Sequence, residues 1–310
     1  MNTYLFGNQA VISSLDFKQL PRLQGAVIVS GIRIDLFEPR LPEDIEWQHE
    51  WKESDDSVTL GVARHPSGFL LRFPELCDVI LDTGQRHISV VPHETLDEHT
   101  IEHLLVDQVL PRFLAHEGHL LLHACAVNIK DRVILFLGRS GWGKSTLAAL
   151  LHKAGYRLYS DDCVMLQQHE SQWQSLPTYP SLRLYEDSIE NILGQDSSLS
   201  WVSEYSDKQR IALVNEPEHE MPKLHAMYFL SDPENTENDI KITPMRPGNT
   251  CIELIERSFR LDIGDPSQSR QLMMATAALT QCVPAYRLSY PHDFENNATL
   301  LATLLRHIEQ

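Results

Sequence analysis

The first 93 residues alternate between short apolar runs and polar or Gly/Pro-containing breaks. Branched and aromatic residues dominate these runs, as is typical of strands in a sheet. The pattern predicts four strands, at 25–37, 57–65, 68–74 and 87–92. We therefore expect this part of the chain to be rich in β-structure.

The pattern becomes helical in the following segment. Over 97–116, apolar residues recur at the spacing of one helix face, and Gly118 follows as a stop signal. A change from short strands to a long amphipathic helix is a natural place for a domain boundary. We predict a β-rich N-terminal domain over 1–95 and a second domain over 96–310.

The second domain mixes both kinds of element. Strands are predicted at 120–127, 132–138, 156–166, 223–230 and 240–245, and helices at 145–153, 249–260, 265–282 and 293–308. The last two strands resemble a hairpin, and two polar segments, 167–176 and 195–209, are predicted to be loops. This mixture predicts an α/β architecture.

A glycine-rich segment between a predicted strand and a predicted helix carries the strongest chemical signal. Residues 138–145, GRSGWGKS, fit the phosphate-loop pattern GxxxxGK[ST]. In such a loop the backbone N–H groups and the helix N-terminus bind phosphates, the lysine reaches the β- and γ-phosphates, and the next hydroxyl binds Mg²⁺. We predict a site for ATP and Mg²⁺ whose nucleotide-binding residues are Gly138, Arg139, Ser140, Gly141, Trp142, Gly143, Lys144, Ser145 and Thr146.

Two adjacent carboxylates, Asp161 and Asp162, lie on the strand that returns after the loop helix. Phosphoryl transfer needs a carboxylate near Mg²⁺ and a group that orients or deprotonates the attacking hydroxyl. Neighbouring carboxylates also raise one another's pKa, which helps one of them to act as a base. An Asp-Asp pair is most often a turn or a helix cap, but its position after a phosphate loop favours the functional interpretation.

The amino-acid composition limits which kinds of molecule the protein is expected to bind. With 26 basic and 43 acidic side chains, the net charge is −17. Such a surface repels nucleic acid, because phosphate neutralisation dominates nucleic-acid binding. No apolar run reaches the roughly 18 residues that span a bilayer, and five scattered cysteines without a CxxC motif favour a reducing compartment. We expect a cytoplasmic protein without a nucleic-acid or membrane partner; an oligomer is compatible with the sequence.

The order of these motifs resembles the HPr serine kinase/phosphorylases and their relatives, over about residues 118–262. The shared features are a strand bearing a histidine (LLHACAV), the loop GRSGWGKST, the segment GYRLYSDDCV and the later segment ITPMRPGNTCIELIERSFR. His123 precedes Lys144 by 21 residues and Asp162 follows it by 18, as in that family. The resemblance implies a phosphate-loop kinase domain similar to that of HPr kinase and PEP carboxykinase, preceded here by the β-rich part.

The resemblance also implies roles for individual residues. Lys144 would bind the β- and γ-phosphates, Ser145 and Asp161 would serve the metal, and Asp162 would be the base that accepts the proton of a substrate serine. His123, a residue type that by itself is more often found in a core, would be a catalytic residue close to the phosphates. Arg183 matches an arginine of the family and is expected to contact substrate or phosphate. Independently of the resemblance, the basic residues Lys208, Arg210 and Arg246 are candidates for the same contacts, with a solvated surface position as the alternative for each.

Two positions depart from the family pattern. Ser181 stands where the family has a metal-binding glutamate, and Asn249 stands where the family has a second arginine. The β-rich part shows no evident resemblance to the family's own N-terminal domain.

The expected function is ATP-dependent transfer of the γ-phosphoryl group to a serine hydroxyl of a peptide or small protein. Two alternatives remain open. One is a kinase for a small metabolite, and the other is a nucleotide-binding interaction protein with little transferase activity.

Overall fold

The computed structural model describes residues 1–23, 30–36, 41, 45–52, 55–93, 96–179, 181–193, 199–203, 206–213, 222–235 and 239–310. Within these residues the chain forms two compact units. The first unit combines 1–117 with 260–269, and the second combines 118–259 with 270–310.

One sheet dominates the first unit. Its described strands are β1 (Asn2–Phe6), β2 (Gln9–Ser13), β3 (Ile32–Leu36), β4 (Trp47–Lys52), β5 (Val58–His65), β6 (Gly68–Phe73), β7 (Cys77–Asp82) and β8 (His87–Pro92). They lie in the order β1-β2-β3-β8-β7-β6-β5-β4. Three predicted strands correspond to β5, β6 and β8, and the fourth contains β3. Residues 25–29 and 37 of that fourth prediction lie outside the described residues.

The helix predicted over 97–116 packs against this sheet. It consists of α1 (Glu98–Leu104), a π-helical turn (Leu105–Val109) and α2 (Leu110–His116). The Asp97 side chain caps it by accepting a hydrogen bond from the Thr100 N–H. The His116 ring meets Phe69 of β6 edge to face, with centroids 5.0 Å apart. Because of this packing the first unit extends to residue 117, beyond the predicted boundary at 95.

Strands and helices are mixed through the second unit. Its described strands are β9 (Leu120–Leu122), β10 (Ala124–Ile129), β11 (Arg132–Leu137), β12 (Arg157–Ser160), β13 (Val164–His169), β14 (Gln172–Leu176), β15 (Ser181–Leu184), β16 (Leu199–Ser203), β17 (Ser206–Ala212), β18 (Leu224–Leu230), β19 (Lys241–Pro244) and β20 (Ala285–Ser289). The later described helices are α3 (Lys144–Lys153), α4 (Glu186–Ser188) with a π-helical turn (Ile189–Leu193), a 3₁₀ turn (Pro233–Asn235), α5 (Pro247–Glu256), α6 (Pro266–Cys282) and α7 (Asn297–Glu309). None of the described helices is both long and apolar enough to cross a membrane.

The central sheet of the second unit is covered on both faces. Its described strands lie in the order β12-β10-β11-β18-β20-β19. Because side chains alternate along each strand, the two faces build two apolar layers. One layer includes Leu151 of α3 and Leu304 of α7, and the other includes Leu254 of α5 and Leu279 of α6. The molecule is therefore a mixed α/β protein, in agreement with the sequence prediction.

The direction of three central strands matters for the site. β11 pairs in parallel with β18, and β18 pairs in parallel with β20. Their carboxyl ends therefore lie at the same edge of the sheet, which is where ligands bind in open α/β sheets. The phosphate loop follows β11 at this edge.

Two predictions about local pairing are wrong. β18 and β19 do not form a hairpin, because β20 lies between them and pairs with both. The segments 167–176 and 195–209 are not simply loops: β13 pairs with β14, and β16 pairs with β17. Polar, exposed residues at 167–170 conceal the strand pattern in the first case. Residues 195–198, 204 and 205 lie outside the described residues.

Candidate active site

Residues 138–145, predicted from the sequence to be a phosphate loop and called so below, run from the end of β11 into α3. Gly141 and Gly143 have φ angles of +81° and +87°, a region in which glycine avoids the penalty that other residues incur. At Gly138 an added Cβ would lie 3.3 Å from the Leu230 side chain, so close packing on β18 favours glycine there. The loop leads directly into the N-terminus of the ten-residue helix α3. Partial positive charge at this terminus suits a phosphate ligand.

Lys144 is held inside this loop. Its side chain is almost fully buried, and its ammonium donates hydrogen bonds to the carbonyls of Gly138 (3.0 Å) and Arg139 (3.2 Å). It also donates to Nε2 of His123 at 3.0 Å. Burial lowers the pKa of Lys144, while Asp162 and Asp161 oppose the shift. The ammonium is therefore positioned before any ligand binds.

His123 and the aspartates meet where two strands change sheets. β10 pairs with β12, up to Ala126 opposite Ser160, whereas β9 pairs with β13, with Leu122 opposite Val164. The residues between these pairs, 123–125 and 161–163, face each other without continuing either ladder. The backbone N–H of His123 donates instead to the Arg257 carbonyl at 2.7 Å. The strand break thus places a histidine beside two carboxylates.

The pKa of His123 is lowered to about 4 by its recessed position and by the Lys144 ammonium. The imidazole is therefore neutral at pH 7, which agrees with its role as acceptor of the Lys144 hydrogen bond. Asp162 approaches the same ring nitrogen as Lys144, with 3.8 Å between Nε2 and the carboxylate Oδ1.

Asp161 is fully buried and joins three parts of the site. Its carboxylate accepts hydrogen bonds from the Ser145 hydroxyl (3.1 Å) and from the backbone N–H of Arg183 (3.2 Å). Burial, with the adjacent charge of Asp162, raises the pKa of Asp161 to about 7. A buried oxygen anion beside a hydroxyl is a donor set that suits Mg²⁺, which prefers oxygen and keeps several waters. Among the described residues no cluster of three or more His, Cys, Asp or Glu side chains could hold a metal by itself.

The buried charge of Asp161 predicts that Asp161→Asn stabilises the metal-free protein against unfolding, by an amount that depends on pH. The unfolded chain releases this proton near pH 4, but the folded chain holds it to about pH 7. The folded state therefore loses stability as the pH rises from about 4 to 7. We expect the variant to be more stable than the wild type at pH 8 by roughly 1–3 kcal/mol, a difference that disappears near pH 4.

Denaturant unfolding at several pH values, with a chelator present, measures this gain. The exposed turn substitution Asp131→Asn is the matched control and should give no such difference. A wild type as stable as the Asp161→Asn variant at pH 8 would show that Asp161 carries no buried charge.

Asp162 has a left-handed backbone, with φ of +67°, which aspartate tolerates better than most residues. Its carboxylate Oδ2 lies 3.8 Å from the guanidinium of Arg183. Arg183 is itself buried, 4.9 Å above the ring of Tyr179. Asp162 is thus held between Arg183 and His123.

A cleft of about 330 Å³ opens beside these groups. Most of the predicted site residues line it, namely Ser140, Gly141, Gly143, Lys144, Ser145, Thr146, Asp162, Arg183 and Lys208. Lys208 also acts electrostatically on Lys144 and Asp161, so it belongs to the same cluster of charges. The structure therefore brings the phosphate loop, Asp162, Arg183 and Lys208 to one cavity.

Other predicted residues lie elsewhere. His123 and Asp161 stand behind the lining and contact it through Lys144 and Ser145. The lining also excludes Gly138, Arg139, Trp142, Arg210 and Arg246. The Arg139 guanidinium lies 5.8 Å from the ring centre of Trp142, and Arg210 is buried in β17 opposite Arg183.

Arg246 is exposed at the start of α5. It follows β19, which runs antiparallel to β20. The carboxyl end of β19 therefore lies at the edge opposite the phosphate loop, and the structure does not bring Arg246 to the cleft.

Several lining residues are absent from the sequence predictions. They are Leu184, Tyr185, Asp187, Ser188, Pro233, Tyr290, His292, Asp293, Phe294 and Asn297. Ser188 contacts the phosphate-loop helix, with 3.2 Å between its hydroxyl and that of Thr146. The sequence does mark the lining residues after 290, because they lie in the aromatic-rich run YPHDF. This run directly follows a strand, but the sequence alone does not reveal the direction of that strand in the sheet.

No family model matches this chain. The HPr kinase/phosphorylase of Bacillus subtilis (strain 168) is 26% identical over 254 residues, which cover 79% of this chain and 78% of that protein. The matched part of this chain is longer than the stretch from residue 118 to the C-terminus. The similarity therefore includes part of the first unit. The sequence patterns alone show no evident counterpart of that unit in the family.

A protein of Oceanobacillus iheyensis whose name also places it with the HPr kinase/phosphorylases is 31% identical over 129 residues. That match spans only 41% of each chain, less than half of the relative's length. The solved HPr(Ser) kinase/phosphatase from Coxiella burnetii has 16% identity and a TM-score of 0.32, covering 61% of this chain and 99% of that one. These sequence matches show that the chain is similar to the HPr kinase/phosphorylases.

Proposed function

We propose that this protein is an ATP-dependent kinase that transfers the γ-phosphoryl group to a serine hydroxyl of a small protein or peptide. One observation supports the proposal above the others: the phosphate loop and Asp162 line the same cleft. A nucleotide-binding interaction protein has no need of a carboxylate at that position.

Different residues of the cleft have different roles in the proposed phosphoryl transfer. Loop amides, the α3 N-terminus and Lys144 bind the phosphates and stabilise the charge that develops on them. Asp162 accepts the proton of the attacking hydroxyl. Arg183 and Lys208 bring positive charge to the same cleft, although the protein as a whole is acidic.

Ser145 and Asp161 would hold Mg²⁺, since their oxygens already lie 3.1 Å apart. A cation held there would neutralise charge on the phosphate oxygens of ATP. Ser181 cannot replace the family's glutamate as a carboxylate ligand. Asp187, which follows Ser181 along the chain, lines the cleft and offers a carboxylate there.

The first acceptor to test is HPr, the protein after which the relatives are named. The match to the Bacillus subtilis relative extends beyond the phosphate-loop domain, which favours a shared protein acceptor over an unrelated metabolite. The experiment incubates the protein with radiolabelled MgATP and HPr, and the label should appear on a serine of HPr. An HPr variant without that serine is the control.

Label on a peptide or a metabolite, but not on HPr, would reassign the acceptor. Binding of MgATP without transfer to any hydroxyl or to water would overturn the kinase proposal.

A further inference from the structure

One part of the cleft is not used by the proposed chemistry. It is formed by the segment 290–297, which connects β20 to the first residue of α7. Lys144, Asp161 and Lys208 act electrostatically on one another, and both lysines act on the neutral His123. The pKa of His292 is instead lowered by burial, a shift that the charge of Asp232 opposes. The segment 290–297 lines the cleft but supplies none of the residues assigned to phosphoryl transfer.

This segment nevertheless touches the phosphate loop. A Cβ added at Gly143 would lie 2.7 Å from the Tyr290 hydroxyl and 3.1 Å from the His292 ring. Strand direction explains the contact, because β11 and β20 both end at the same edge of the central sheet. A ligand whose phosphates occupy the loop can therefore extend along residues 290–297, which line the same cleft.

The chemistry of the segment suits a flat aromatic group. The rings of Tyr290 and His292 are stacked, with centroids 4.5 Å apart and planes 17° apart. Tyr290 is buried, while His292 is exposed at the cleft, and Phe294 lines the same wall half-buried. Aromatic side chains that are already ordered stack on nucleobases with little loss of side-chain entropy.

The segment also carries one amide that can read the edge of a base. Asn297 lines the cleft at the start of α7. The turn before it is fixed by Asp293, whose carboxylate accepts hydrogen bonds from the backbone and side chain of Asn296 at 2.9 Å. The oxygen of the Asn297 amide can accept from the adenine N6 amino group and its nitrogen can donate to adenine N1, whereas an aspartate could only accept and would instead match the N1–H and N2 amino donors of guanine.

We propose that residues 290–297 bind the adenine of ATP, with His292 and Phe294 stacking on the base and Asn297 hydrogen-bonding to its Watson–Crick edge. The inference rests on the proposed kinase function, since it assumes that a nucleoside triphosphate occupies the phosphate loop. It goes beyond that function because it assigns the base-recognition residues.

The test compares the affinity for MgATP, MgGTP and magnesium tripolyphosphate, which has phosphates but no base. His292→Ala and Phe294→Leu should weaken MgATP binding on the order of ten- to hundred-fold and leave tripolyphosphate binding unchanged. Leucine in place of Phe294 keeps an apolar group in contact with the core, and Glu295→Gln, exposed in the same segment, is the matched control. Asn297→Asp should reduce the preference for ATP over GTP.

The outcomes separate the two proposals. Equal affinity of the wild type for MgATP and tripolyphosphate, or equal loss of both in the His292→Ala and Phe294→Leu variants, would overturn the base assignment and leave the kinase proposal intact. An unchanged ATP preference in the Asn297→Asp variant would overturn the contact between Asn297 and the base. If Lys144→Ala binds both ligands as tightly as the wild type, the phosphate loop itself is misassigned and the kinase proposal fails first.

Discussion

Asp162→Asn is expected to lower the rate of phosphoryl transfer by roughly 10²- to 10⁴-fold, the range for loss of a general acid–base group. Asparagine preserves the size of the side chain but cannot accept the proton of the attacking hydroxyl. It also tolerates the left-handed backbone of Asp162, so the loop around it should keep its shape. Nucleotide affinity should change little, because Lys144 and the loop amides make the phosphate contacts.

This rate can be measured before the acceptor is identified, as slow hydrolysis of MgATP in which water replaces the hydroxyl. Asp161→Asn is the companion variant and should instead raise the Mg²⁺ concentration needed for half-maximal turnover. Full turnover in the Asp162→Asn variant with loss in the Asp161→Asn variant would reverse the two roles. If neither substitution matters, the aspartate pair is structural.

Lys144→Ala is expected to abolish stabilisation by MgATP. At a nucleotide concentration 100 times its dissociation constant, the wild type should gain about 2.7 kcal/mol of unfolding free energy, and the variant should gain none. The reason is geometric: the Lys144 ammonium is already held by two loop carbonyls and His123, at the centre of the predicted phosphate site.

Because Lys144 makes these hydrogen bonds, the stabilities of the Lys144→Ala variant and the wild type without ligand should not be compared directly. Removing a buried ammonium leaves two carbonyls and an imidazole without their donor, which can itself destabilise the protein. The informative quantity is therefore the shift caused by MgATP within each variant. Lys153→Ala, exposed at the other end of α3, is the control and should keep the full shift. An equal shift in the Lys144→Ala variant would refute the phosphate loop.

Short-range patterns in the sequence are enough to locate the phosphate loop and its helix. The strand before the loop, the glycines with positive φ and the helix after it are contiguous, so their geometry depends on neighbouring residues. The long helix 97–116 is also predictable, because one repeating apolar face marks it. The same pattern cannot assign this helix to the first unit, since that depends on contacts with distant residues such as Phe69.

The rest of the site depends on pairing between distant strands. Sequence patterns predict 120–127 and 156–166 as two unbroken strands, whereas each changes sheets at the point where His123 and the aspartates lie. β20, which brings residues 290–297 to the cleft, is missed because its five residues follow a long helix and pair with a strand some 60 residues earlier. Arg246 is expected near phosphate, but the antiparallel direction of β19 carries it to the other edge.

The composition of the first unit also constrains how the protein is made. Residues 260–269 belong to this unit, where Leu261 is buried and Asp262 pairs with Arg64. The ribosome must therefore synthesise 118–259 before the last piece of the first unit exists. At bacterial-to-eukaryotic elongation rates this takes on the order of ten seconds. During that interval the N-terminal unit lacks residues 260–269, so its folding is completed only after the phosphate loop has been synthesised.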